Sequence, residues 1–142
     1  MDAWLRRRAM ANELSGASRT FVVMEGDVIR AYYTLAAACI APRDTTGRIR
    51  RNMPEPIPAV LLGRLAVDRR CQGQGLARAL VRDAALRTVV AAQAVAVRCL
   101  IVHALSPQAA AFWEHLGFTP ALRDPLLLSI GLSDIAGNSG GL

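Results

Sequence analysis

Between residues 70 and 75 the chain reads Arg70-Cys71-Gln72-Gly73-Gln74-Gly75, an Arg-x-x-Gly-x-Gly spacing set between a β-like run and a long helical pattern. Glycines there let a ligand reach backbone N–H groups without side-chain bulk, and the N-terminus of the following helix adds roughly half a positive charge. Arg69 and Arg70 place guanidinium forks beside the same turn, and such forks match phosphate oxygens. The chemistry on offer is backbone binding of a phosphate or diphosphate. A dinucleotide fingerprint would need a third glycine at position 78, where Arg78 stands. A tight strand-to-helix turn with no ligand is the competing reading of an isolated Gly-x-Gly.

Other chemistries are narrowed by what is missing. The chain has no lysine, so its net charge of +6 comes from arginine alone. Biased base composition would account for that as well as a polyanionic partner would. Either way, Walker A phosphate binding and Schiff-base catalysis are excluded. There is no Gly-x-Ser-x-Gly elbow. Cys39, Cys71 and Cys99 are few, scattered and odd in number, which suits free thiols in a reducing compartment and gives neither a disulfide framework nor metal-ligand spacing. No metal is expected. Cys71 reads as a small neutral filler of the turn, His103 on an apolar strand as a satisfied core histidine, and His115 as exposed. Two basic clusters, Arg6-Arg7-Arg8 and Arg48, Arg50, Arg51, read either as solvated faces or as contacts to a polyanion.

The elements that must position these groups follow from periodicity and punctuation. Residues 2–12 suggest a basic helix with Trp4, Leu5, Ala9 and Met10 inward. β-Branched and aromatic runs over 20–23 and 28–38 flank Glu25-Gly26-Asp27 and predict a hairpin. A Pro-rich loop over 42–58 precedes a strand over 59–67. After the turn, Leu76, Leu80 and Ala84 with Ala77 and Val81 make the apolar stripe of a helix to about residue 94, on which Asp83 precedes Arg87 by four. A buried strand over 97–104 comes next, then a helix capped by Ser106-Pro107 and ending at Gly117, then a strand or hairpin over 118–130. One domain over 1–133 and a flexible tail over 134–142 are expected. The order of elements gives an α/β domain with a mixed sheet. No run is long and apolar enough to suggest a membrane span, and the N-terminus lacks the order of a secretory signal, so a cytoplasmic location is expected.

The stretch Gly63–Leu76, GRLAVDRRCQGQGL, resembles the acetyl-CoA motif of the GNAT superfamily of N-acetyltransferases, Q/R-x-x-G-x-G/A. Ala111-Phe112-Trp113-Glu114-His115-Leu116-Gly117-Phe118 is similar to that superfamily's F-Y-x-x-x-G-F helix. The segments RIRRNMPEPIP at 48–58, RTFVV at 19–23 and VHAL at 102–105 resemble a narrower group, the TacT-like toxins of bacterial toxin–antitoxin pairs, which acetylate the amino group of aminoacyl-tRNA. The resemblance implies a GNAT-like fold, a central mixed and mostly antiparallel sheet flanked by helices, here without the usual first strand and helix. It implies acetyl-CoA as co-substrate, held by Leu65, Ala66, Val67, Arg69, Arg70, Cys71, Gln72, Gly73, Gln74, Gly75, Leu76, Ala77 and Phe112. It also implies RNA contact through Arg6, Arg7, Arg8, Arg48, Arg50 and Arg51, a ribbon-helix-helix antitoxin as partner, and a homodimer.

One residue departs from the pattern. Trp113 stands where the superfamily carries the tyrosine proposed as general acid, and an indole has an N–H to donate but no proton to give up. A slower enzyme is the expectation. Two alternatives stay open: an acetyltransferase for a protein N-terminus or small amine, and a relic that binds CoA or an antitoxin without catalysis.

Overall fold

The computed structural model describes residues 16–73 and 75–137. The expected basic helix over 2–12, with Arg6, Arg7 and Arg8, lies outside the described residues, as does Gln74. β1 (Arg19–Glu25) and β2 (Val28–Ile40) form the predicted hairpin, with Glu25 opposite Val28. The Pro-rich segment is less irregular than its composition suggests: a 3-10 turn at Pro42–Asp44 is followed by a one-turn helix α1 (Gly47–Arg50), capped by Thr46. β3 (Ile57–Val67) runs into a 3-10 turn at Arg69–Cys71 and then α2 (Leu76–Ala91). β4 (Cys99–His103), α3 (Pro107–His115), β5 (Thr119–Pro120), β6 (Leu127–Gly131) and α4 (Leu132–Gly137) complete the order. Helical structure thus continues past residue 134, the expected start of a tail, because Ile135 is buried against the core.

The six strands make one sheet in the order β1-β2-β3-β4-β6-β5. Every neighbouring pair is antiparallel except β3 and β4, the two strands joined through α2. β4 sits between β3 and β6, and its residues 99–102 are buried, which is why they read as an unbroken apolar run. Strand alternation then sorts two cores. Leu100 and Val102 join Leu80, Val81, Ala84 and Trp113 on the face covered by α2 and α3. Cys99 and Ile101 join Ile40, Ile57 and Ile49 on the other face, where α1 packs.

The feature that shapes the site is a bulge. β2 and β3 pair as Leu35↔Leu62 and Tyr33↔Leu65, so Thr34 alone faces both Gly63 and Arg64. Buried Thr34 satisfies the displaced backbone by accepting the Arg64 N–H at 3.0 Å on Oγ1. A Cβ on Gly63 would stand 2.9 Å from that oxygen, and a β-branched side chain on a strand has little room to rotate away. Gly63→Ala is expected to lower stability by about 1–3 kcal/mol through overpacking, read as a lower denaturant midpoint. Gly63→Ala combined with Thr34→Ala should recover part of that loss, since the second change removes the obstructing oxygen; no recovery would count against the close approach as its cause.

Candidate active site

The last β3–β4 pair is Leu62↔Val102, yet β3 continues to Val67. Leu65, Ala66 and Val67 keep β2 partners on one edge and have no β4 partner on the other. The bulge bends β3 at the residue after the last pair, so the two parallel strands splay. A cavity of about 580 Å³ occupies the gap, lined by Leu62–Ala66 of β3, Tyr32 of β2, Ala77 of α2, Val102–Leu105, and Ala109, Phe112 and Trp113 of α3. That volume falls within the usual range for small-molecule sites. A larger groove of about 810 Å³ lies along the other half of α2. It is walled by apolar side chains such as Leu35, Leu86 and Val90, and Arg87 on its wall is engaged by Asp83 at 3.0 Å and lies 4.2 Å over the Phe21 ring. The smaller cavity carries the convergent backbone groups.

Above the gap, β3 turns into α2 through a braced loop. Asp68 accepts the Arg70 N–H at 2.9 Å and pairs with Arg30 at 3.3 Å, while Arg30 also reaches Glu25 at 3.2 Å. The Arg70 amide first and the Arg30 guanidinium second hold the Asp68 carboxyl below the usual carboxylate range. Gln72 Nε2 donates to the Val67 carbonyl at 3.2 Å, so that carbonyl is already engaged. Gly73 and Gly75 sit at φ +81° and +74°, a region that L side chains enter at a cost of about 1–2 kcal/mol. A Cβ on either would meet nothing within 4 Å. Gly75 is the N-cap of α2 and has no side chain to bond the first turn. The N–H groups of Gly73, Gly75, Leu76 and Ala77 donate to no described backbone group, as expected for the orphan donors of a helix start. Exposed Arg69 and Arg70 flank them. An anion with several acceptor oxygens suits this turn.

The domain model for an acetyltransferase (GNAT) domain matches residues 17–120. The chain belongs to the GNAT acetyltransferase family. It is 46% identical over 134 residues to a tRNA-acetylating toxin of Mycobacterium tuberculosis (strain ATCC 25618 / H37Rv), spanning 94% of this chain and 81% of that protein. Among solved structures it is similar to AtaT complexed with acetyl-methionyl-tRNAfMet, with a TM-score of 0.86, 29% identity, and coverage of 94% of this chain and 82% of that one. It is also similar to a tyrosine-to-phenylalanine variant of AtaT bound to the C-terminus of the antitoxin AtaR and acetyl-CoA, with a TM-score of 0.78, 29% identity, and coverage of 93% and 78%.

Four of the residues expected at the co-substrate site share one cavity. Leu65, Ala66, Ala77 and Phe112 line the cavity, and the turn at Arg69–Cys71 with Gly73, Gly75 and Leu76 joins the β3 and α2 walls in the chain. Trp113 is 7% exposed, faces the cavity, and packs edge-on against Phe112 and Phe118 at 5.2 Å from each ring. Of the arginines expected on RNA, the described ones, Arg48, Arg50 and Arg51, are not part of that cluster. Ile49 of α1 packs with Ile57 and Cys99, where β3 and β4 begin, whereas the Gly73–Gly75 turn follows the end of β3. The 11 residues of β3 separate the two by roughly 30 Å at about 3.3 Å per residue. Arg48 pairs with Asp134 at 3.0 Å, and Arg98 holds the carbonyls of Ile49 and Arg48 at 2.9 Å each, which fixes α1 at the sheet's end.

Three features escaped the sequence. Tyr32 is buried and also lines the cavity. The bulge at Gly63 was signalled by a glycine inside a strand pattern. His103 is exposed on the cavity wall and not a core residue, because β4 loses its β3 neighbour one residue before it. Cys99, by contrast, is inert: burial pushes its thiol up to about 11. Among the described residues no group of acidic, histidine and cysteine side chains could hold a metal, and no helix is long and apolar enough to cross a membrane.

Proposed function

We propose that this acetyltransferase moves the acetyl group of acetyl-CoA onto the α-amino group of an aminoacyl-tRNA, as the toxin of a toxin–antitoxin pair acting in the cytoplasm. The observation that carries the reading is the splayed gap between β3 and β4, followed by a turn whose Gly73, Gly75, Leu76 and Ala77 amides donate to no described backbone group, in a chain 46% identical to a tRNA-acetylating toxin. The amides from Gly73 to Ala77, with Arg69 and Arg70, would hold the diphosphate. Leu65 and Ala66 would bind the pantetheine arm along the free edge of β3, and apolar Phe112 and Ala77 would exclude water from it. Bound in this way, acetyl-CoA supplies an activated acetyl group.

The chain's own residues then have modest work to do. An α-amino group titrates at about 7.7–8.0, so a fair fraction is already neutral near pH 7. A thiol of pKa about 8.5 is a tolerable leaving group. Positioning by the β3 edge and polarisation of the carbonyl by its N–H groups would carry most of the acceleration. Arg48, Arg50 and Arg51, joined by Arg6, Arg7 and Arg8, would take the phosphates of the RNA remote from the reacting end. A homodimer and a ribbon-helix-helix antitoxin belong to the same reading.

The test is transfer of label from [14C]acetyl-CoA to charged total tRNA. Label is expected on the RNA, attached to the amino acid and released with it by mild base. Label on protein N-termini or free amines alone would replace this substrate with another acceptor. The affinity for tRNA should fall steeply with salt; an affinity independent of salt would remove the arginines from the reading.

A further inference from the structure

We propose that His103 is the catalytic base that takes the proton from the attacking amine. The proposal deepens the reading of the gap as the acetyl-transfer site and rests on it. His103 is the last residue of β4, one step beyond the final β3–β4 pair, and it stands in register with Leu127 of β6. Its ring is exposed, lines the 580 Å³ cavity, and makes no hydrogen bond or ion pair with a described residue. Imidazole is the side chain that exchanges protons near neutral pH.

The fold also gives this ring a side. Leu100 and Val102 point to the face covered by α2 and α3, while Cys99 and Ile101 point to the face that carries α1. The two-residue period of a strand sends His103 with Cys99 and Ile101. A diphosphate at the start of α2 approaches from the helix-covered end of the gap. An RNA guided by the α1 arginines comes along the opposite face, and His103 borders the gap on that face. The other ionisable side chains on the cavity wall are Tyr32 from β2 and Arg64 from β3; α2 and α3 contribute Ala77, Ala109, Phe112 and Trp113, and β6 sets Leu127 beside the ring. Among the described residues no carboxylate lines the cavity, so of its described walls the imidazole is the side chain suited to accept a proton.

In the proposed step a neutral His103 ring nitrogen accepts one proton from the aminoacyl ammonium. The freed nitrogen lone pair forms the C–N bond at the thioester carbonyl carbon. The C–S bond breaks, and its electron pair leaves on the CoA sulfur. A second N–H proton follows to the thiolate, giving the CoA thiol, and His103 releases its proton to solvent through its exposed edge.

The test compares wild type, His103→Gln and His103→Ala on charged tRNA and on glycinamide, at saturating acetyl-CoA, from about pH 6 to 9, the range over which α-amines titrate. The expected result is a kcat lower by about 10-fold near pH 7, which is what full deprotonation of an amine of pKa about 7.7–8.0 supplies there, an unchanged KM for acetyl-CoA, and an ascending pH limb moved upward. Free imidazole should restore part of the His103→Ala rate. Equal kcat in all three proteins, or a loss confined to the KM for acetyl-CoA without imidazole rescue, would overturn the proposal. A wild type that labels glycinamide but not tRNA removes the RNA reading and leaves the His103 comparison standing. A wild type silent on both acceptors sinks both.

Discussion

Trp113→Tyr is expected to raise the rate of acetyl transfer by about 10²-fold, the lower end of what a positioned proton donor contributes. Trp113 borders the gap from α3 with its ring 7% exposed. Its indole N–H donates to no described residue and can at most hydrogen-bond a departing sulfur, whereas a phenol could deliver a proton to it. The lower end applies because a thiolate leaves tolerably without help. Replacing the indole with a smaller ring also vacates space between Phe112 and Phe118, both now in edge contact with it, and costs about 1 kcal/mol of stability on the scale of core truncations. Trp113→Phe separates the effects, because it makes the same space without a hydroxyl. The rate should rise for tyrosine and stay level or fall for phenylalanine. An unchanged rate for Trp113→Tyr, or an equal rise for Trp113→Phe, would remove position 113 from proton transfer.

That experiment shows why the site was legible in outline and hidden in detail. The glycine turn could be read because its requirement is local: Gly73 and Gly75 supply left-handed backbone at a helix start, and nothing distant must cooperate. The hairpin at Gly26, the Ser106 cap of α3 and the stripe Leu80, Val81, Ala84 were legible for the same reason. The gap itself is not local. It exists because β3 pairs in parallel with a strand more than thirty residues later, and because that pairing stops at Leu62↔Val102. No window of sequence contains both strands, so the exposure of His103 could not be read from the apolar run that precedes it. The Pro-rich segment misled in the opposite direction. Its prolines and arginines suggest a loop, yet Thr46 caps a turn that buries Ile49 at 3% exposure and is clamped by Arg98, the residue before β4.

The position of α1 also revises how the basic residues should be weighed. Arg48, Arg50 and Arg51 would be too far to assist a diphosphate at the Gly73–Gly75 turn, roughly 30 Å away and beyond the Debye length of about 8 Å at physiological salt. They are exposed and sit on the face toward which β4 directs His103. A rod-like polyanion laid across that face could touch α1 and still place its end at the gap, whereas a small amine could not use both. The geometry thus favours a long acceptor over a short one. On Arg48 itself, the ion pair with Asp134 is largely solvated, at 72% and 33% side-chain exposure, so it contributes little to stability and can be exchanged for a phosphate.

Gly75→Val should abolish tight acetyl-CoA binding while leaving the protein folded. The valine Cβ would meet nothing within 4 Å, so no clash inside the protein opposes the change. What it would crowd is the approach of a ligand to the turn that carries the amides of Gly73, Leu76 and Ala77. Each hydrogen bond from such an amide to a charged oxygen contributes about 1.5–3 kcal/mol, or roughly ten- to hundredfold in Kd. Blocking two of them should raise the Kd for acetyl-CoA by at least about 10²-fold. A side chain at φ +74° also costs about 1–2 kcal/mol of stability, and that penalty must be kept apart from the binding loss. Gly26→Val provides the match: Gly26 has φ +62°, its Cβ would also meet open space, and it turns the β1–β2 hairpin. Both variants should lose similar denaturant stability, and only Gly75→Val should lose acetyl-CoA affinity by calorimetry. If Gly75→Val binds acetyl-CoA as the wild type does, the diphosphate is held elsewhere; if Gly26→Val loses affinity equally, the effect belongs to general destabilisation and not to the turn.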